Sequence, residues 1–320
     1  MKSLKYALLV FCLLTLGCDE HTSLENEIAK VDVDFTVERF DRAVANATAN
    51  DLPKLKAAYP FLFSRRVPDS IWVARLNDSL QNELLNEVDD AFGDFKTTTS
   101  ELKSLFQHLK FYDTNFSIPR VITLTNDVDY RNKTIVNDTL ALIALDNYLG
   151  EDHRFYQNIQ RYIAANMTKD QIVPDVAEEM AKTYTYQSNR RTFLDEMIFF
   201  GKLLYFKDVM IPFKTDAEKI GYTQGQFDWA EINENQIWTY FIEKELLYST
   251  DPKLVTRFIA PAPYSKFYLE LDNESPGRLG QFMGWQIVRT YAEKTGADFK
   301  TILQTKPETI FRDSKYKPKK

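Results

Sequence analysis

Phe193-Leu-Asp-Glu-Met-Ile-Phe-Phe-Gly-Lys-Leu-Leu-Tyr-Phe206 decides the fold. Its apolar residues fall almost all round the helix instead of along one stripe, and a helix of that kind is buried on every side. The segment therefore predicts a central helix with protein packed around its whole circumference. Its acids stand at the start, where Asp195 and Glu196 complement the positive end of the helix dipole.

Working outward, Trp229 to Leu247 and Gly280 to Lys294 read as helices on the C-terminal side. Gly280 and Gly284 lie four apart on one face, a spacing that permits a close helix crossing. Before them, Leu271-Asp-Asn-Glu-Ser-Pro-Gly-Arg-Leu-Gly280 is dense in turn formers, and Arg278 and Trp285 are candidate recognition residues there. On the N-terminal side Val173 to Tyr186 reads as a helix, and Phe155, Ile159, Tyr162 and Ile163 form an apolar stripe. Ile118 to Thr125 is β-branched and Leu140 to Leu145 apolar, with a polar turn near Asp127 to Lys133 between them, so two strands are expected. Val31, Val33, Phe35 and Val37 alternate with polar residues, a third strand pattern, and lead into a helical stretch around Phe40 to Ala49. Asp51 can cap a helix carrying Leu52, Leu55 and Ala58 and stopped by Pro60. Asp69 starts another in which Ile71, Leu76, Leu80 and Leu84 fit a buried stripe, and Leu102, Leu105, Phe106 and Leu109 mark one more. No repeat, linker or compositional break interrupts this order. The expectation is an α+β fold, predominantly helical with a small sheet, forming one globular domain over residues 31–320 with a frayed basic tail from about 312.

The chain begins Met1-Lys-Ser-Leu-Lys-Tyr, continues through apolar Ala7 to Gly17 and reaches Cys18, the order of parts in a bacterial lipoprotein signal peptide. Residues 1–17 are expected to be the signal and residues 18–30 a lipidated tether. An acylated Cys18 would make the lipid bilayer the first partner, since each buried methylene contributes about 0.8 kcal/mol to anchoring. Cys12 and Cys18 are the chain's two cysteines, so the processed protein would have no free thiol and no disulfide. With 23 Phe, 17 Tyr and 4 Trp it has ample material for a core. A net charge of −6 without a long basic stripe argues against nucleic acid.

Catalytic patterns are scarce. The three histidines, His21, His108 and His153, form no HxH or HExxH pair and read as surface residues, so neither a histidine-based metal site nor any other cofactor is expected. No G-x-S-x-G elbow occurs, and no thiol is left to serve as nucleophile. Carboxylate pairs remain: Glu178 with Glu179, Asp195 with Glu196, Glu231 with Glu234, and Glu270 with Asp272. Two carboxylates are enough for glycoside hydrolysis. Asp195 and Glu196 stand out because they open the most apolar segment, where a charge is harder to solvate.

Leu194-Asp-Glu-Met-Ile-Phe-Phe-Gly-Lys-Leu-Leu-Tyr-Phe206, Ile220-Gly-Tyr-Thr, Trp238 to Asp251 and Leu269-Glu-Leu-Asp-Asn-Glu-Ser-Pro-Gly-Arg278 resemble the gliding-motility lipoprotein family GldB. The resemblance covers most of the chain beyond the signal. It implies an envelope protein required for gliding, acting as a component or assembly factor among other motility or type IX secretion proteins, and it fixes no activity. A fainter likeness is to zincin-type metallopeptidases, whose later helix carries a ligand glutamate before a glycine. Phe200 stands in that place before Gly201, and Pro174-Asp-Val-Ala-Glu-Glu-Met-Ala-Lys182 contains no histidine. The likeness implies a degenerate scaffold and a protein that is not an enzyme, with an envelope hydrolase working through carboxylates as the alternative.

Overall fold

A computed structural model describes residues 23–186, 190–269 and 272–319. Cys18 and the signal peptide lie outside these residues, as does Glu270. The fold is α+β and mostly helical, with one four-stranded sheet. Strands β1 (Val37–Arg39), β2 (Arg120–Leu124), β3 (Thr134–Val136) and β4 (Leu140–Ala144) run in the spatial order β1-β2-β4-β3. β1, β2 and β4 are parallel, in register Val37 to Val121 and Arg120 to Leu140, while β3 lies antiparallel at the edge. Val121, Ile122 and Thr123 are all fully buried, so both faces of β2 are covered. That is why Val121, Ile122, Thr123 and Leu124 do not alternate with charged residues.

The segment around Phe193 forms the helix Phe193–Met210, started by a capping box between Thr192 and Asp195. Phe193, Leu194, Met197, Ile198 and Leu204 pack into one apolar cluster with the helices that follow. Phe199, Leu203, Phe206 and Met210 pack into a second cluster with the sheet and the Lys96–Tyr112 and Ile172–Tyr184 helices. The helix is apolar all round because it stands between two cores. It crosses Leu279–Thr295 closely. There a Cβ on Gly284 would fall onto the Met197 backbone, and one on Gly201 onto the backbone of Gly284 and Trp285. Gly280 meets different neighbours, Ile259 and the Phe258 carbonyl.

Several local expectations are corrected. Ile71 is 56% and Leu80 60% exposed, because the chain breaks at Asn77 and Asp78 into two helices, Asp69–Leu76 and Ser79–Ala91. The Asp78 carboxylate caps the second by accepting from the Gln81 N–H at 2.9 Å. Trp229 to Leu247 likewise divides at Asn233 into Gln224–Ile232 and Glu234–Glu243. The alternating Val31 to Val37 stretch pairs only from Val37 on. His108 is buried, its Nδ1 2.8 Å from the Ser104 carbonyl. The spacer expected up to Lys30 is in part docked: Ile28 is buried and Gln107 donates to the Ala29 and Val31 carbonyls. The basic tail is not frayed within the described residues. Tyr316 packs on Trp238 with ring centroids 5.1 Å apart, and its hydroxyl donates to Glu234 at 2.6 Å.

Candidate functional site

A cleft of about 590 Å³ opens between the Ile172–Tyr184 helix, residues 220–223, the loop at Pro261 to Pro263, and the Gly277-Arg278 turn. Its floor is set by the far end of the central helix, which carries Lys207 and Asp208 side by side. Lys207 is buried, and its ammonium donates to Glu178 Oε2 at 2.8 Å and to the Lys219 carbonyl at 2.9 Å. Burial works against a charge on Glu178, but Lys207 overrides it, with Lys182 and Arg278 adding, and its pKa falls to about 2. Glu178 is therefore a fixed anion near neutral pH and a poor proton carrier. Its neighbour Glu179 is paired with Lys182 at 2.5 Å.

Behind this wall Asp208 joins three helices. It accepts from Arg289 Nε at 2.7 Å and Nη2 at 2.6 Å, from the Trp285 indole N–H at 2.8 Å, and from Lys219 at 3.1 Å. Arg289 also reaches Asp216 at 2.8 Å, and its guanidinium lies 3.7 Å from the centroid of the Trp285 ring. Burial alone would lower the Arg289 pKa; the two carboxylates, Asp208 and Asp216, raise it instead. One turn earlier on the same helix as Glu178, Asp175 pairs with Lys133 at 2.5 Å, and the buried Tyr148 hydroxyl donates to the same carboxylate at 2.8 Å.

Arg278 lines the cleft. Its Nη2 donates to the Gly221 carbonyl at 2.7 Å, and its guanidinium lies 5.3 Å from the centroid of the Tyr222 ring. Its φ of +60° is a left-handed conformation that an L side chain adopts at a cost, and such strain collects at functional positions. The turn is held from both sides. Tyr222 donates its hydroxyl to the Gly277 carbonyl, and a Cβ on Gly277 would fall onto the Ala262 carbonyl.

The other sequence candidates sit elsewhere. Asp195 Oδ2 accepts from the backbone N–H groups of Arg191 and Thr192 at 3.0 and 2.9 Å, so its carboxylate caps the central helix. Glu196 lies beside it against Arg190 at 3.4 Å; burial raises its pKa and Arg190 opposes the rise. Trp285 is fully buried in the network behind the cleft. Sequence reasoning missed Lys207 and Asp208. Their signal was a lysine and an aspartate side by side in the most apolar helix of the chain, where charge requires a partner. Among the described residues no group of three or more His, Cys, Asp or Glu is placed to hold a metal ion. The Ile172–Tyr184 and Phe193–Met210 helices do pack together, with Glu178 and Lys207 meeting between them.

Fold and cleft thus define a class: a helix-rich α+β protein built around one buried helix, with a cleft whose wall acids Asp175 and Glu178 are ion-paired. Within it, the chain belongs to the family described as Gliding motility protein GldB, whose model matches residues 21–318. No curated protein and no solved structure matches the chain. Among the described residues no helix is long and apolar enough to cross a membrane.

Proposed function

We propose that this protein is a lipid-anchored, non-catalytic member of the gliding machinery, serving as a component or assembly factor of the motility and type IX secretion apparatus. The family match over residues 21–318 carries this reading. The cleft supports it: Asp175 and Glu178 each hold a lysine, and acids so neutralised are suited to shaping a surface rather than transferring protons. A degenerate metallopeptidase scaffold fits the packing of the Ile172–Tyr184 and Phe193–Met210 helices, with the Glu178–Lys207 pair between them. Cys18 carries the anchor, the residues after it form a short tether, and the rest acts as one globular domain at the cell envelope.

Two measurements test this. Photocrosslinkers placed at Arg278 and along the cleft rim in living cells should capture other motility proteins, and capture of none would refute the docking role. Cys18→Ser behind a retained export signal should keep the fold and impair gliding. Full gliding by that released form at normal abundance would refute the need for the anchor.

A further inference from the structure

A second cavity, separate from the cleft, lies among the Phe40–Ala45, Leu52–Ala58 and Asp69–Leu76 helices and the end of β2, with a volume of about 290 Å³. Its walls are apolar, with Val44, Leu52, Leu55, Leu62, Phe63 and Leu76 contributing. Two of the side chains that line it carry a buried donor without an acceptor, the indole Nε1–H of Trp72 and the side-chain nitrogen of Gln81. Five buried side-chain polar atoms lack a partner among the described residues, and two of the five belong to side chains that line this one cavity. Buried donors are ordinarily satisfied, and an apolar chamber with a few convergent polar groups is the usual form of a small-ligand site.

The remaining polar groups narrow the ligand. The Asp41 carboxylate lines the cavity but is occupied: Arg39 donates to both its oxygens and the Thr123 hydroxyl to Oδ1 at 2.5 Å. The Arg75 side chain is 41% exposed and bonds Asp127 at 2.6 Å, which sets a cation between cavity and solvent. Trp72 can only donate, so what enters must bring an acceptor oxygen. Buried water needs two to four polar partners apiece, and this apolar chamber offers two free donors. An apolar cavity of about 150 Å³ holds benzene, so 290 Å³ accommodates on the order of a dozen heavy atoms. Phe61, Ile71 and Leu80, exposed in the same stretch of chain, leave apolar surface suited to a lipidic ligand's approach.

We propose that this cavity binds a medium-length acyl chain whose carbonyl or carboxyl oxygen accepts hydrogen bonds from Trp72 and Gln81. The test uses the full-length, delipidated protein in an amphipathic polymer and a diazirine-bearing decanoic acid as photoprobe, with labelled peptides mapped by mass spectrometry. Labelling should fall within residues 40–81 and be competed by decanoic acid. Competition by a short-chain phosphatidylcholine as well would assign a lipid ester as source, and competition by decanoic acid alone a free acid. Leu55→Trp should fill the cavity and abolish labelling, with Val44→Phe as the second filling variant if the first does not fold. Trp72→Phe keeps the ring and removes the donor, so it should weaken competition by decanoic acid about fivefold, the effect of one lost hydrogen bond. Labelling scattered over the surface without competition, labelling unchanged in the filled variants, or decane competing as well as decanoic acid would each overturn the proposal.

Discussion

Gly284→Ala tests the central claim of the fold, that two helices touch backbone to backbone beside the charged network. On an exposed helix this substitution stabilises by about 1 kcal/mol, because alanine is the better helix former. At Gly284 the new Cβ would overlap the Met197 backbone, which no rotamer change can move aside. Overpacking costs about 1–3 kcal/mol and belongs at the upper end when backbone must shift. The net expectation is a loss of about 2 kcal/mol, or roughly 4 °C in Tm for a chain of this size. Gly225→Ala is the internal control: nothing lies within 4 Å of its Cβ position, so the same change should leave Tm unchanged or raised. Thermal denaturation followed by circular dichroism reads both. Because Trp285 follows Gly284 directly and donates to Asp208, the displaced helix should also shift Trp285 emission. A Gly284→Ala protein that melts as high as the parent, with unchanged emission, would refute the close crossing.

Three further outcomes follow from the described contacts. The pKa of Glu178 lies near 2 in the folded protein against an ordinary 4.5. Its stabilising pair is thus fully present above about pH 4.5 and lost as pH falls toward 2. Urea midpoints between pH 6 and pH 3 should fall further for the parent than for Glu178→Gln, and parallel declines would refute the depressed value. Tyr316→Phe removes the hydroxyl donated to buried Glu234, leaving one backbone donor, Lys319 N–H, on that carboxylate. A loss of about 1–3 kcal/mol in urea unfolding is expected, and no loss would mean the tail does not dock. Asp195→Asn with Glu196→Gln should leave gliding intact on motility plates, at a stability cost of about 1 kcal/mol from the weakened cap. Abolished gliding at normal protein levels would revive the carboxylate hydrolase.

The central helix was legible because its signal is local: a buried element surrounded by core needs no polar face, and Phe193 to Phe206 has almost none. β2 was legible from its β-branched residues and β4 from its short apolar run. β3 was not. Thr134-Ile-Val136 is three residues long and owes its strand to pairing with β4. Ile71 and Leu80 misled because helical spacing carries on across a break, although Asp78, a good cap, marked the division. The tail misled in the opposite way: Lys315 to Lys320 reads as solvated, while Tyr316 within it carries the docking. At the cleft, Arg278 was legible from its turn, since Ser-Pro-Gly-Arg announces unusual backbone. The network was not, because Asp208 gathers Lys219, Trp285 and Arg289 from distant stretches of chain.

That network bears on how the cleft would act. Lys207 and Asp208 are consecutive on the central helix, yet one faces the cleft through Glu178 while the other reaches back to Arg289 and Trp285. Removing Glu178 would strand the buried Lys207 ammonium, so the arrangement resists small displacements. Arg278 differs. It is held by one hydrogen bond to a carbonyl and one aromatic ring on a turn kept at φ +60°, and it acts on the Glu178 carboxylate through space. The cleft thus combines wall acids that are ion-paired with a guanidinium at its edge. Fork-shaped donors on such a group give orientation as well as attraction.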